Sequence, residues 1–553
     1  MQPENDRNGL GRTGDQAAPR FARLQPAEVL LRELLLDCRD DILSCQQPIV
    51  PHLEMYIVGG WVRDHLLGIP SSDVDVALSS MTGVEFSRTL NVFADKHHGK
   101  YQQRAKENGI EYVKPAHFTV VDQNPAMSKK LDTAVGKAFG LEVDLVNLRK
   151  EVYDDEDSRK PTMTFGTAAE DAFRRDATVN ALFVDLETLE VHDFTGQGLA
   201  DLEKRIMRTP LEPRQTFLDD PLRVLRLIRI GCKLDFSIAE EALSSMKQEE
   251  IHRALDRKVK RERLSIELVR MMELPHPESS LHVIFESNLF ATVFLSDTSS
   301  LALAMKRVLP EVHGQPWPPT WPRAYKMLAN ILENDEDMLK GLVVAEQEAT
   351  HSWDEAKARL WLMAVYAPIA HCQQHGVPLK TAREEIKHAI NLTSRTADLL
   401  ALCLSNLRSI DETVSRTALS ERPTRSSIGM AIREWGKSWR QQVLFSLVAS
   451  LVFDPAHSDQ GQHMISRRYE DFVAFVDAED LWDADSTKPL LDGREAMKIL
   501  GVGKGGKFIK AVIDEIVAFQ FDNPGCHVEQ VKYWAIRQRD RWISNGGLST
   551  SAD

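Results

Sequence analysis

From Pro26 to Leu36 apolar residues return every third or fourth position, which predicts an amphipathic helix with the proline in its first turn. The period then changes. Met55 to Val58 is a short apolar run that stops at a glycine pair, as a buried strand entering a turn does, and Val62 to Leu67 reads as the helix that follows. Asp73 to Leu78 predicts the next strand. Tyr112-Val113, His117 to Val121 and Leu141 to Leu148 are further strand candidates, enough for a small mixed sheet. Between them, Asn124 to Gly140 carries Ser128-Lys129-Lys130 and two glycines, and reads as a mobile loop with a short helix. After about Tyr153 the chain becomes a series of amphipathic helices with few strand signals. Pro- and polar-rich breaks at Leu274–Ser280, His313–Pro319 and Ser420–Ser426 mark lobe boundaries. The fold class is therefore α+β: a small mixed-sheet head followed by an all-helical remainder.

Composition narrows this picture modestly. At 553 residues the chain is too long for one core. Its 43% hydrophobic and 27% charged content is that of an ordinary soluble globular protein, and no apolar run is long enough for a bilayer span. Cys38, Cys45, Cys232, Cys372, Cys403 and Cys526 lack paired spacing, and no secretory segment opens the chain, which together predict a reduced intracellular protein. Residues through about Arg20 are polar and read as disordered. Arg7, Arg12 and Arg20 suggest a mitochondrial presequence, while Glu4, Asp6 and Asp15 are wrong for one. A net charge of −14 excludes a uniformly basic surface but not a local basic site such as Arg257–Arg263.

Chemistry concentrates where the first predicted strands lie. In Ile57-Val-Gly-Gly-Trp-Val-Arg-Asp64, Gly59 and Gly60 let the backbone approach a phosphate and Arg63 can neutralise one. Asp73 and Asp75 follow, one residue apart, so a strand puts both on one face. Mg²⁺ takes one or two such carboxylates plus substrate phosphates. A lone Asp-x-Asp is a weak signal; behind the glycine pair and the arginine it is the equipment of nucleotidyl transfer. Asp144, on a strand face with Glu142, is the better candidate for a third carboxylate. In Phe173–Leu182, Asn180 lies four residues from Asp176, so a helix would align them; Asp176 could accept from a ribose hydroxyl and Arg175 meet triphosphate oxygens.

The run Asp219-Asp-Pro-Leu-Arg-Val-Leu-Arg-Leu-Ile-Arg229 predicts a helix with Asp219 as N-cap and Pro221 in the first turn. Asp220 and Arg223 are neighbours at three-residue spacing and can act on one ligand. Steps of three drift about 60° each, so Arg229 points away from Asp220. Cytosine and adenine both show an amino donor beside a ring-nitrogen acceptor. An Asp satisfies the first and an Arg the second, while guanine and uracil would leave unpaired groups.

These segments, with Asp193-Phe-Thr-Gly-Gln-Gly-Leu-Ala-Asp-Leu202 and Arg261-Glu-Arg-Leu-Ser-Ile-Glu267, resemble the class II CCA-adding enzymes (tRNA nucleotidyltransferases) of eukaryotic, fungal type, from about Met55 to Leu268. The resemblance implies a seahorse-shaped protein: a disordered tail over 1–25, a nucleotidyltransferase head over 26–152, and a helical neck with the base site over 153–275. A helical body over 276–425 and a tRNA-binding tail over 426–553 would follow. It implies Mg²⁺ on Asp73 and Asp75 with Asp144 as the third carboxylate, and triphosphate held by Gly60, Arg63 and Arg175. Asp176 would meet the ribose, Asp220 and Arg223 would read the base, and Arg226 with Arg229 would complete the nucleotide site. The implied reaction adds C, C and A to tRNA 3′ ends from CTP and ATP. Sequence alone leaves the oligomeric state open, with a monomer favoured, and the compartment open among cytoplasm, mitochondrion and nucleus, with no membrane attachment expected. Two features depart from the family pattern: Asp219 stands where Glu is common, and Ala116–Asp122 is longer than in similar fungal sequences.

Beyond the resemblance, Ile499–Lys510 is Gly-rich and carries Lys504, Lys507 and Lys510, which suits RNA phosphates, or else is a connector. His371-Cys372-x-x-His375 lacks a partner cluster for zinc. Trp317 and Trp321 read as packing. A poly(A) polymerase, a CC-only enzyme and a non-catalytic tRNA-binding protein are the rival readings.

Overall fold

The computed structural model describes residues 24–45, 50–110, 118–120, 133–152, 162–296, 299–308, 321–334, 338–343, 353–370, 377–418, 423–453, 458–502 and 507–546. The chain divides into two compact units, Met1–Lys260 and Arg261–Asp553.

In the first unit the strands are β1 (Met55–Val58), β2 (Asp73–Leu78), β3 (Thr119–Val120), β4 (Ala134–Ala138), β5 (Leu141–Asn147), β6 (Arg149–Val152), β7 (Thr162–Phe165), β8 (Leu182–Asp185), β9 (Val191–Asp193) and the small separate pair β10 (Ile206–Met207) and β11 (Ser237–Ile238). The helices are α1 (Pro26–Ser44), α2 (Gly60–Leu66), α3 (Gly83–Lys96), α4 (His98–Glu107), α5 (Ala168–Phe173), α6 (Gly198–Lys204), α7 (Pro213–Asp219), α8 (Leu222–Leu234), α9 (Glu240–Met246) and α10 (Glu249–Lys258). The main sheet runs β3-β4-β5-β2-β1-β8-β9. Within it only β2 and β5 are parallel, so the sheet is mixed.

Alternation along β2 sorts its side chains. Val74 and Val76 face one side with Val143 and Leu145 of β5, all fully buried, and α3 packs there with Phe86 and Leu90. Burying each such side chain stabilises by about 1.5–3 kcal/mol. Asp73, Asp75 and Ala77 face the other side. There Ala77 joins a core of Tyr56, Val58, Leu148, Ala181 and Phe183, closed by Ala168 and Ala172 of α5. These two small residues, one turn apart, let α5 lie close on the sheet beside the acids.

Four local predictions change. A strand, β4, occupies part of the predicted loop; its Gly136 faces the Phe118 ring, which a Cβ there would approach to 2.6 Å, so the glycine serves packing and not a turn. Strands also continue past Tyr153: β7 pairs with β6, while β8 and β9 complete the main sheet beyond β1. Asp176 and Asn180 do not share an α-helix, since α5 ends at Phe173 and Thr178–Asn180 is a single 3-10 turn. Asp219 closes α7 and does not cap α8, whose N-cap is Pro221. Tyr112-Val113, Ser128-Lys129-Lys130, His371–His375 and Trp317 lie outside the described residues.

The second unit is helical throughout its described residues. Helix Trp439–Val452 is buried on nearly every side, with Val443, Leu447 and Val452 fully covered, which fits its lack of a polar stripe. Near the C-terminus, helices Gly493–Leu500, Lys507–Asp522 and Val528–Gly546 close around Leu491, Ala496, Leu500, Ile516, Val531, Ala535 and Trp542. Asp492 caps the first of them, with Glu495 reaching back to complete a capping box. Among the described residues no helix is long and apolar enough to cross a membrane.

Candidate active site

The glycine turn sets the site. Gly59 leaves β1 at φ +79°, a conformation L side chains rarely adopt, and opens α2. A Cβ at Gly59 would lie 3.1 Å from Arg175 Nη1 and 3.2 Å from Asp75 Oδ2, so this bare backbone is flanked by a cation and an acid. Gly60 begins α2, over the Arg63 guanidinium.

Parallel pairing then gathers carboxylates. Asp73 stands opposite Glu142 and Asp75 opposite Asp144, so all four side chains rise from one face of the sheet. Asp73 is exposed, while Asp75 and Asp144 are half-buried. Burial pushes the Asp75 carboxyl up to about 6; Arg175 pulls it down, and Asp144, Asp73 and Asp171 push it further up. Among the described residues no three His, Cys, Asp or Glu side chains converge tightly enough to enclose a metal ion. Paired carboxylates open on one side suit Mg²⁺ nonetheless, because that ion takes its remaining ligands from water and phosphate.

A second set forms a buried chain of hydrogen bonds. Arg63 is 5% exposed; its Nε and Nη2 donate to Asp64 Oδ1 at 2.8 and 2.6 Å, and Nη1 donates to Asn180 Oδ1 at 2.5 Å. Asn180 Nδ2 donates to Asp176 Oδ1 at 2.9 Å. Arg226, reaching from α8, donates through Nε and Nη2 to Asp176 Oδ2 at 2.8 and 2.7 Å. Burial would push the Asp176 carboxyl up, but Arg226, Asn180 and Arg223 outweigh it and hold it well below the usual carboxylate range. The glycine turn is thus tied through Asn180 and Asp176 to the predicted base-reading helix.

On α8, Arg223 is buried and its N–H donates to the Asp220 carbonyl at 3.0 Å, while Asp220 Oδ1 accepts from Leu222 N–H at 3.3 Å. Arg226 and Arg229 are half-buried. In the second unit, Lys507 begins a helix and Lys510 is exposed on it, whereas Lys504 lies outside the described residues.

Sequence reading did not single out Asp171 or Asp64. Asp171, 1% exposed, stands three and four residues before Arg174 and Arg175, and that spacing on a helix was the available signal.

A sheet bearing paired acids beside a glycine turn defines a nucleotidyltransferase head, and residues 55–208 match the model of the poly A polymerase head domain. Similarity extends well beyond the head. The chain is 34% identical over 488 residues to the mitochondrial CCA tRNA nucleotidyltransferase of Candida glabrata, covering 85% of this chain and 88% of that one. It is 30% identical over 501 residues to a tRNA nucleotidyltransferase of Schizosaccharomyces pombe, covering 90% and 94%. Among solved structures, a Thermotoga maritima CCA-adding enzyme complexed with tRNA aligns with TM-score 0.58 at 18% identity, over 95% of this chain and all of that one. The chain belongs to the CCA tRNA nucleotidyltransferase family.

Proposed function

We propose that this enzyme extends tRNA 3′ ends with C, C and A from CTP and ATP, without a nucleic-acid template. The observation that carries the reading is the convergence of the acid face of β2 and β5, the Gly59 turn and Arg175 at one point. The tRNA 3′ oxygen forms a bond to the α-phosphorus, the α–β bridging bond breaks, and pyrophosphate leaves. Asp73 and Asp75 would hold Mg²⁺, with Asp144 alongside. Bound there, the ion would neutralise phosphate charge and lower the pKa of the attacking hydroxyl.

The chain's own groups do the rest. Gly59 and Gly60 bring backbone close to the triphosphate, and Arg175 neutralises it. Arg63, Asn180 and Arg226 hold Asp176 toward the nucleotide. Just before α8, Asp220 accepts from the base amino group, and from α8 Arg223 donates to the ring nitrogen, with Arg229 completing the site. The head over 26–152, neck over 153–275, body over 276–425 and tail over 426–553 are the working division, with Lys504, Lys507 and Lys510 of the tail on tRNA phosphates. The enzyme works inside the cell, and the Candida glabrata relative's name supports a mitochondrial pool.

Incubation with Mg²⁺, each labelled NTP in turn and tRNA lacking its last three nucleotides tests this. C, C and then A incorporation is expected; a long run from ATP alone would make it a poly(A) polymerase, and arrest after two C a CC-only enzyme. Asp73→Ala and Asp75→Ala should each cut turnover by about a thousandfold or more with CTP binding only weakened. Near-normal turnover in either would refute the metal assignment.

A further inference from the structure

Arg175 is the cation nearest the Gly59 turn, yet it is long and stands beside Asp75, with which it could simply pair. Its guanidinium is instead fixed on three sides. The Nε and Nη2 edge donates to Asp171 Oδ2 at 3.1 and 2.9 Å. One face lies over the Phe183 ring, 5.2 Å from its centroid. The remaining nitrogen, Nη1, donates to the Asn180 carbonyl at 3.3 Å and is the atom that faces the Gly59 turn.

Asp171 is itself over-determined. Its other oxygen accepts from Arg174 Nε at 2.9 Å and Nη2 at 2.5 Å, and from the Arg149 backbone N–H at 3.2 Å. Its helix is locked at the start by the Thr167–Glu170 capping box and seated on the sheet by Ala168 and Ala172. A carboxylate serving only to neutralise Arg175 would need neither the second arginine nor the backbone donor. Those extra bonds fix where its Oδ2 sits, and hence where the Arg175 tip sits.

We propose that Asp171 is a positioning residue that sets the reach of Arg175 toward the nucleotide triphosphate. This rests on the reading of Arg175 as a triphosphate contact, and the test separates the two. CTP and tRNA KM, kcat and Tm would be compared for wild type, Asp171→Asn, Asp171→Glu, Arg175→Ala and the Asp171→Asn/Arg175→Ala double variant. Misplacement by about an ångström should raise the KM for CTP and ATP by about ten- to a hundredfold. The KM for tRNA should stay unchanged, and the double variant should be no worse toward CTP than Arg175→Ala alone. Asp171→Glu keeps the charge but moves it by one methylene, so it should show the same nucleotide defect while folding normally; a normal KM for CTP in that variant overturns the proposal. So does a fall in Tm and active fraction for Asp171→Asn with the KM for CTP within twofold of wild type, or strictly additive losses in the cycle. If Arg175→Ala leaves the KM for CTP intact, the triphosphate reading itself fails, and the role of Asp171 with it.

Discussion

Asp75 shows a single residue kept at a cost. An acid raised to about 6 binds its proton more tightly in the folded chain than in the unfolded one, where the ordinary value is about 3.9. Ionisation therefore disfavours the folded state, increasingly from about pH 4 to pH 6 and by a constant amount above that. Asp75→Asn removes the charge and keeps the shape. Without divalent ions at pH 8 the variant should melt a few degrees above wild type while losing turnover. Mg²⁺ should raise the melting temperature of wild type and leave the variant's unchanged; calorimetry with and without EDTA reads both. A lower melting temperature for the variant would mean that the Asp75 carboxylate contributes stability through bonds other than those described.

Elements explain what was legible in the sequence. β1, β2 and β5 fall within a residue of their predicted bounds, because each is a run of one period ended by glycine, serine or charge. β8 was missed because Leu182–Asp185 is four residues long and covered on both faces, and such a run cannot be told from a helix segment by periodicity. The same ambiguity put Asp176 and Asn180 of Phe173–Leu182 on one helical face, although the chain there breaks at Arg174, makes a 3-10 turn and enters a strand. Asp144 joins the site through the β2–β5 register, but Asp73, Asp75, Gly59 and Gly60 were readable because spacing alone aligned them. The Arg63–Asn180–Asp176–Arg226 chain was not, because its members are brought together across as many as 117 residues. One element-level prediction follows from α8: Arg223→Ala should admit UTP and GTP at rates about tenfold or more closer to those of CTP and ATP. Competition among the four nucleotides measures this, and unchanged selectivity would remove Arg223 from base reading.

At the scale of the molecule, a chain with net charge −14 has to recruit tRNA through local basic sites. Each phosphate neutralised steepens the fall of affinity with salt by about 0.7–0.9 in a log–log plot. Replacing Lys504, Lys507 and Lys510 with Ala together should flatten that slope by about two to three and leave the KM for CTP unchanged. An unaltered slope would take those lysines off the RNA.

The sheet order carries a consequence for how the chain comes into being. β1 lies between β2 and β8, and β8 is encoded some 125 residues after it. Until Leu182–Asp185 leaves the ribosome, Met55–Val58 is a bare apolar margin with open N–H and C=O groups, the kind of border at which chains stick to one another. A premature stop between β5 and Leu182 would thus leave Asp73, Asp75 and Asp144 intact on a fragment disposed to aggregate, and a nonsense allele there would burden the cell as well as lack activity.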